Sequence, residues 1–236
     1  MSSAPAVFRA RGVSVSFGGV RAVDGVDLEV ARGEVTGLIG PNGAGKTTFI
    51  DAVTGFVKYA GSVELDGTRL DGMAAHTRAR RGLSRTWQTV ELFDDLNVRE
   101  NLAVAAARPG DADEVLSLLD LGKAADAMPS ELTQAERKRA GIGRALAARP
   151  KLLLLDEPGA GLDASQSAEL ARLLPGLAED GTAILLVDHD MGLVLGSCDR
   201  VVVLDSGKVL AQGTPAQVRA DESVVAAYLG RSGVAS

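Results

Sequence analysis

The chain has 236 residues, and 46% are hydrophobic but only 3% aromatic, so its core has to be aliphatic. That length suits one large α/β domain, or one domain carrying a sub-lobe. The net charge of −6 argues against nucleic acid as the main partner. No apolar run approaches the ~20 residues of a spanning helix, no export signal is expected from MSSAPAV, and a lone Cys198 excludes an intramolecular disulfide and reads as a packed core thiol.

Strand-like and helix-like segments alternate along the chain, which predicts a largely parallel sheet with helices on both faces. VFRARGVSVSF (7–17) and VDLEV (26–30) read as strands, and EVTGLIG (34–40) runs straight into a glycine-rich loop. Helical character follows over 47–54 and ends at Gly55; GSVELDG (61–67) is a short strand between turns. Between 97 and 148 the pattern changes to NVRENLAVAAA, ADEVLSLLDLG and LTQAERKRAGIGRALAA, three helical segments with PGD and MPS as breakers. A helical lobe inserted in an α/β core is the economical arrangement. The β alternation resumes in KLLLLDEP, TAILLVDHD and RVVVLDSGKVL, whose short apolar runs suit strands buried on both faces. The tail TPAQVRADESVVAAYLG (214–230) reads as a closing pair of short helices, and residues before about Val7 and after Gly230 are expected to lie outside the fold.

GPNGAGKT (40–47) fits G-x-x-x-x-G-K-[ST] after a strand and before a helix, where a phosphate-binding loop has to sit. Backbone N–H groups at Gly43, Gly45, Lys46 and Thr47 can wrap a phosphate, since glycine lets the backbone approach closely and the following helix presents its positive end. Lys46 is expected to reach the β- and γ-phosphates, and the Thr47 hydroxyl to complete a Mg²⁺ shell. Asn42, Ala44 and Thr48 complete the nucleotide-contacting stretch. LLLLDEP then places two adjacent carboxylates at the end of a buried strand, where open parallel sheets hold ligands. Asp156 is placed to hold Mg²⁺ and Glu157 to polarise the attacking water. His189 follows another apolar strand, where a structural hydrogen-bonding role and a γ-phosphate contact are both open. His76 sits in a basic segment and reads as a solvated loop residue. No guanine-reading NKxD element is present. The carboxylate pair and the histidine point to hydrolysis of a nucleoside triphosphate.

In this order (Phe17, GPNGAGKTT, Gln88, a signature segment, LLLLDEP, GAGLD and His189) the residues resemble the ATP-binding cassette (ABC) ATPases from Val7 to Gly230. The resemblance implies a P-loop, RecA-like core with a mixed, mainly parallel sheet and an N-terminal antiparallel β part. It divides the single domain into catalytic core at 1–88 and 149–236 and helical lobe at 89–148. It makes ATP and Mg²⁺ the cofactors. Phe17 would stack on adenine, Gln88 would link the metal site to the lobe, and Asp163 would cross to the site of a second ATPase subunit, identical or not. Strings such as SFGGVRAVDGV, SRTWQTVELFDDLNVRENLAVA and AYLG are similar to the branched-chain and hydrophobic amino-acid importers. In that branch such subunits work on the cytoplasmic face of the membrane, beneath two permease subunits fed by an extracytoplasmic solute-binding protein. Urea and amide importers and the lipopolysaccharide exporter share much of the pattern, and a non-transport ABC protein or a non-hydrolysing one remain alternatives.

The signature departs from the usual LSGGQ: the register gives Leu132, Thr133, Gln134, Ala135 and Glu136. Thr133 keeps a hydroxyl for a γ-phosphate and Glu136 is an accepted change. Ala135 replaces the second glycine, so it either sits in a helical backbone without cost or slows one composite site. Arg137, Lys138 and Arg139 follow, able to support phosphate or to solvate the helix.

Overall fold

The apolar run Leu152 to Leu155 shows how the fold is layered. Successive side chains of a strand point to opposite faces, and here Leu152 and Leu154 join one core cluster while Leu153 and Leu155 join another. Both faces of the strand are covered, which a continuous run of leucines requires.

The computed structural model describes residues 5–89, 91–179 and 181–229. The chain forms β1 (Ala6–Phe17), β2 (Val20–Ala31), β3 (Val35–Ile39), α1 (Lys46–Thr54), β4 (Ala60–Leu65), β5 (Thr68–Arg69), α2 (Ala75–Arg80) and β6 (Leu83–Arg85). Then come α3 (Val98–Ala103), α4 (Asp111–Leu118), α5 (Gln134–Ala147), β7 (Leu152–Asp156), α6 (Ala164–Ala178) and β8 (Ala183–Val187). The last elements are α7 (Met191–Ser197), β9 (Arg200–Asp205), β10 (Lys208–Gly213), α8 (Pro215–Ala220) and α9 (Glu222–Leu229).

Two sheets carry the fold. An antiparallel sheet has the order β2-β1-β4-β5, and a mixed sheet has the order β10-β9-β3-β8-β7-β6, in which only β10 pairs antiparallel. One core cluster lies between the sheets, where Phe49, Ile50 and Val53 of α1 pack among Phe8, Val63, Leu38, Leu154 and Leu185. Each such fully buried side chain contributes about 1.5–3 kcal/mol. The other cluster lies on the opposite face of the mixed sheet and runs on into α3, α4 and α5, whose Leu102, Val115, Leu116 and Ile142 belong to it.

Local chemistry sets the ends of these helices. Asn97, Thr133, Asp163 and Thr214 open α3, α5, α6 and α8 with capping boxes, each side chain accepting from the backbone N–H three residues on. Gly55 closes α1 at φ 89°, and the buried Arg78 guanidinium donates to the Ala52 and Val53 carbonyls at 3.3 and 2.8 Å. A cation at that position suits the negative end of the helix.

Several expectations need correction. His76 is exposed as expected, but it lies on helix α2 and not in a loop. The segment 164–178, given no element above, is the longest helix among the described residues. Pro175 and Gly176 within it interrupt the helical composition, yet Leu170, Ala171, Leu174, Leu177 and Ala178 are buried along one face. The chain enters β1 at Ala6, and the expectation for residues after Gly230 lies outside the described residues.

Candidate functional site

The phosphate loop is held from behind by two elements. The Ala44 carbonyl accepts from Gly207 N–H at 3.0 Å, and the Gly207 carbonyl accepts from Asp24 N–H at 2.8 Å, so the β9–β10 turn is wedged between the loop and β2. A Cβ on Gly45, at φ 102°, would lie 2.5 Å from the Ala22 carbonyl oxygen. This glycine is required by close approach as much as by dihedral freedom. Gly43 has φ 81°, and a Cβ there would meet nothing within 4 Å, so the loop's outer side is open. Asn42, Gly43 and Thr47 are exposed, Thr48 is half-buried, and Ala44 is buried.

Lys46 is buried at the first turn of α1, with its ammonium donating to the Gly40 carbonyl at 2.6 Å and the Pro41 carbonyl at 3.2 Å. An ammonium has three donors, so one remains for a ligand. Burial holds its pKa below the usual lysine value, opposed by the charges of Glu157, Asp188 and Asp156. A curved row of N–H groups around a desolvated cation fits a triphosphate.

Across from the loop, Asp156 ends β7 almost fully buried, with one carboxylate oxygen 2.8 Å from Arg85 Nη2. Glu157 follows at φ 46°, a left-handed conformation that costs a non-glycine residue about 1–3 kcal/mol. Its N–H donates to the Val187 carbonyl at 2.7 Å, which holds this conformation. Gln88 Nε2 donates to Glu157 Oε2 at 2.9 Å, and His189 Nδ1 stands 3.9 Å from the same oxygen. His189 is placed by its buried neighbour Asp188, whose carboxylate accepts from the N–H groups of Gly159, His189 and Asp190 at 2.9, 2.7 and 3.0 Å.

The structure therefore gathers Lys46, Gln88, Asp156, Glu157 and His189. Phe17 stands apart as the last residue of β1 and is 52% exposed, which rules out an ordinary core phenylalanine. Thr133 and Glu136 bond to each other at the start of α5, the Thr133 hydroxyl donating to Glu136 Oε2 at 2.7 Å. Ala135 lies in the first turn of that helix and is not among the residues with positive φ. Asp163 caps α6, accepting from Ser165 and Gln166 N–H at 2.9 Å each.

Three residues gained no definite role from the sequence. Asp188 is described above. Arg85 pairs with Asp156 and also with Asp51 of α1 at 2.6 Å. Lys138 is buried and does not solvate its helix; its ammonium donates to the Gln88 carbonyl at 3.0 Å and lies 3.5 Å from the Glu157 carbonyl. Burial lowers its pKa, opposed by the charges of Asp188 and Glu157. The only signal for Lys138 was the run Arg137 to Arg139, of which Lys138 is the one that is buried.

Beside the site, residues of α2, of 85–89 and of α5 line a groove of about 950 Å³, with Phe56, His76, Trp87, Gln88, Phe93 and Arg144 in its walls. No helix among the described residues is long and apolar enough to cross a membrane.

The family model described as ABC transporter matches residues 23–160, and one described as branched-chain amino acid ATP-binding cassette transporter matches residues 208–234. The chain is 36% identical to the high-affinity branched-chain amino acid transport ATP-binding protein BraF of Pseudomonas aeruginosa, over 96% of this chain and 98% of that one. It is 38% identical to LivG of Escherichia coli K12, a protein of the same description, over 94% and 96%. It is 36% identical to the lipopolysaccharide export system ATP-binding protein LptB of the same strain, over 95% and 98%. An ATP-binding cassette of an ABC transporter solved in its ADP conformation superposes with a TM-score of 0.87 at 28% identity, covering 96% of this chain and 99% of that one. With a family model over more than half its length and relatives aligned almost end to end, the chain belongs to the ABC transporter family as an ATP-binding, ATP-hydrolysing cassette.

Proposed function

We propose that this cassette drives the import of branched-chain or other hydrophobic amino acids, working in pairs on the cytoplasmic face of the membrane beneath two permease subunits. A solute-binding protein outside would deliver the solute. The observation that carries the coupling is the position of Gln88: its amide holds Glu157 at 2.9 Å, and the residue also lines the apolar groove. A permease helix seated there would press on a residue bonded to the hydrolytic carboxylate. The branch is supported by the match of residues 208–234 and by the BraF and LivG likenesses.

In this reading the loop and Lys46 bind the phosphates, and Phe17 offers an exposed ring face for the base. The donors around the phosphates suit Mg²⁺: the Thr47 hydroxyl, the Asp156 carboxylate and the Gln88 amide oxygen are all hard oxygen ligands. Bound there, Mg²⁺ would supply charge neutralisation for the phosphates. Glu157, fixed by Gln88, orients the attacking water, and His189 at the site's edge contacts the γ-phosphate. A second subunit would close each site with Thr133, Ala135 and Glu136 at the start of α5, and with Asp163.

The test is to reconstitute the cassette with the permease subunits that co-purify with it and to measure ATP hydrolysis. Stimulation by receptor loaded with leucine, isoleucine or valine is the expected outcome. Stimulation only by a urea- or amide-loaded receptor, or by lipopolysaccharide, would assign the cassette to those transporters, and no membrane association at all would favour a non-transport role.

A further inference from the structure

Arg85 ends β6, one residue before Thr86 and two before Trp87, and its side chain is only 6% exposed. Its guanidinium joins three parts of the molecule. Nη1 donates to Asp51 Oδ1 at 2.6 Å and Thr54 Oγ1 at 3.3 Å, both on the helix that the phosphate loop opens into. Nη2 donates to Asp156 Oδ2 at 2.8 Å. The flat face lies 4.1 Å from the centroid of the Trp87 ring. Trp87 in turn meets Phe56 edge to face at 5.3 Å, and both rings are more than half exposed in the groove.

A guanidinium can use its edge and its face at once, whereas an ammonium cannot. Here the edge is pulled by two carboxylates and the face carries the indole, so the position of the cation is a compromise between them. When further positive charge arrives at Asp156, the carboxylate's hold on Arg85 weakens and the guanidinium shifts toward Asp51. The indole resting on it follows. Linkage makes the effect reciprocal: a partner that moves Trp87 changes how firmly Asp156 is held.

We propose that Arg85 is a positioning residue coupling the Asp156 carboxylate to the groove surface made by Trp87 and Phe56. Occupancy of the metal site is then felt where the permease would sit, and the reverse. This rests on Asp156 being the metal-site carboxylate.

Trp87 is the only tryptophan in the chain, so emission excited to the red of tyrosine absorption reports on this side chain alone. The experiment titrates Mg²⁺ into the purified chain held with radiolabelled ADP below saturation, following Trp87 emission and, in parallel, the nucleotide retained. The wild type is expected to change emission with the same Mg²⁺ midpoint as retention. Arg85→Met is expected to lose the emission change and, with the cation that competes for Asp156 removed, to need about five-fold less Mg²⁺ or lower still, the least coupling usual between linked sites. Should Arg85→Met not fold, Arg85→Lys keeps a cation beside Asp156 but no planar face, and it too should lose the emission change while melting near the wild type. An unresponsive wild type, or either variant responding as the wild type does, overturns the coupling. Asp156→Asn separates the two readings. If it loses Mg²⁺-dependent retention while the Arg85 variants keep the full emission change, only the coupling fails. If it binds Mg²⁺ and ADP as the wild type does, the metal reading fails and takes the coupling with it.

Discussion

The Lys138 ammonium donates to the Gln88 backbone carbonyl at 3.0 Å, tying the helix that Thr133 opens to the residue whose amide holds Glu157. The start of α5 is thus bonded to Glu157 of the same chain, through one buried cation and one side-chain amide. If the lobe moves as a unit, Lys138 is the contact that moves Gln88 with it.

Replacing Lys138 with Met keeps length and packing but removes the donor to the Gln88 and Glu157 carbonyls. An acceptor left without its donor costs about 1–3 kcal/mol, and the cost falls on the placement of Glu157 rather than on nucleotide binding. Steady-state kinetics of Lys138→Met should show kcat lowered by about ten-fold, with KM for ATP within about two-fold. A rise in KM with kcat unchanged would place Lys138 in nucleotide binding instead.

Much of this architecture is legible in the sequence because strands buried on both faces read as apolar runs, as Leu152 to Leu155 and Ile184 to Val187 do. The loop at Gly40 to Thr48 is legible because phosphate chemistry fixes its spacing. Helix α6 is not, since Pro175 and Gly176 break its composition and only packing against the sheet makes the apolar face visible. Arg85 and Lys138 are less legible still. Arg85 meets an aspartate 71 positions away and Lys138 a carbonyl 50 positions away, and such pairs exist only once the chain has folded. Asp188 drew no reading of its own, since its carboxylate serves the backbone N–H groups of Gly159, His189 and Asp190, partners that only the folded chain supplies.

Ala135 sits in the first turn of α5 with Thr133 as the cap, so its backbone is helical and a methyl group there needs no unusual dihedral. Ala135→Gly should lower helix stability by about 1 kcal/mol and leave turnover within about ten-fold of the wild type. Thermal melting and a steady-state ATPase assay check both. A rise in turnover beyond that range would mean that the methyl group obstructs the composite site.

Burial pushes the Cys198 thiol up to about 12, against about 8.5 for a thiol in an unfolded chain. The native thiol therefore stays protonated where the unfolded one ionises. Stability from this group is fully present below about pH 8.5 and declines as pH rises toward the folded value, by up to about 1.4 kcal/mol per pH unit. A small alkylating reagent at pH 8.5 should leave the native protein unmodified over a period that modifies the guanidinium-unfolded chain completely. Comparable rates in the two states would contradict the buried, inert assignment.

The central claim is that Glu157, held at 2.9 Å by Gln88, orients the water that attacks ATP. It is tested most directly by measuring ATP affinity and single-turnover hydrolysis for the wild type and Glu157→Gln side by side. The account predicts ATP binding within about three-fold of the wild type and hydrolysis slower by about 100-fold or more. Hydrolysis by Glu157→Gln at the wild-type rate, with ATP bound equally well, would contradict it.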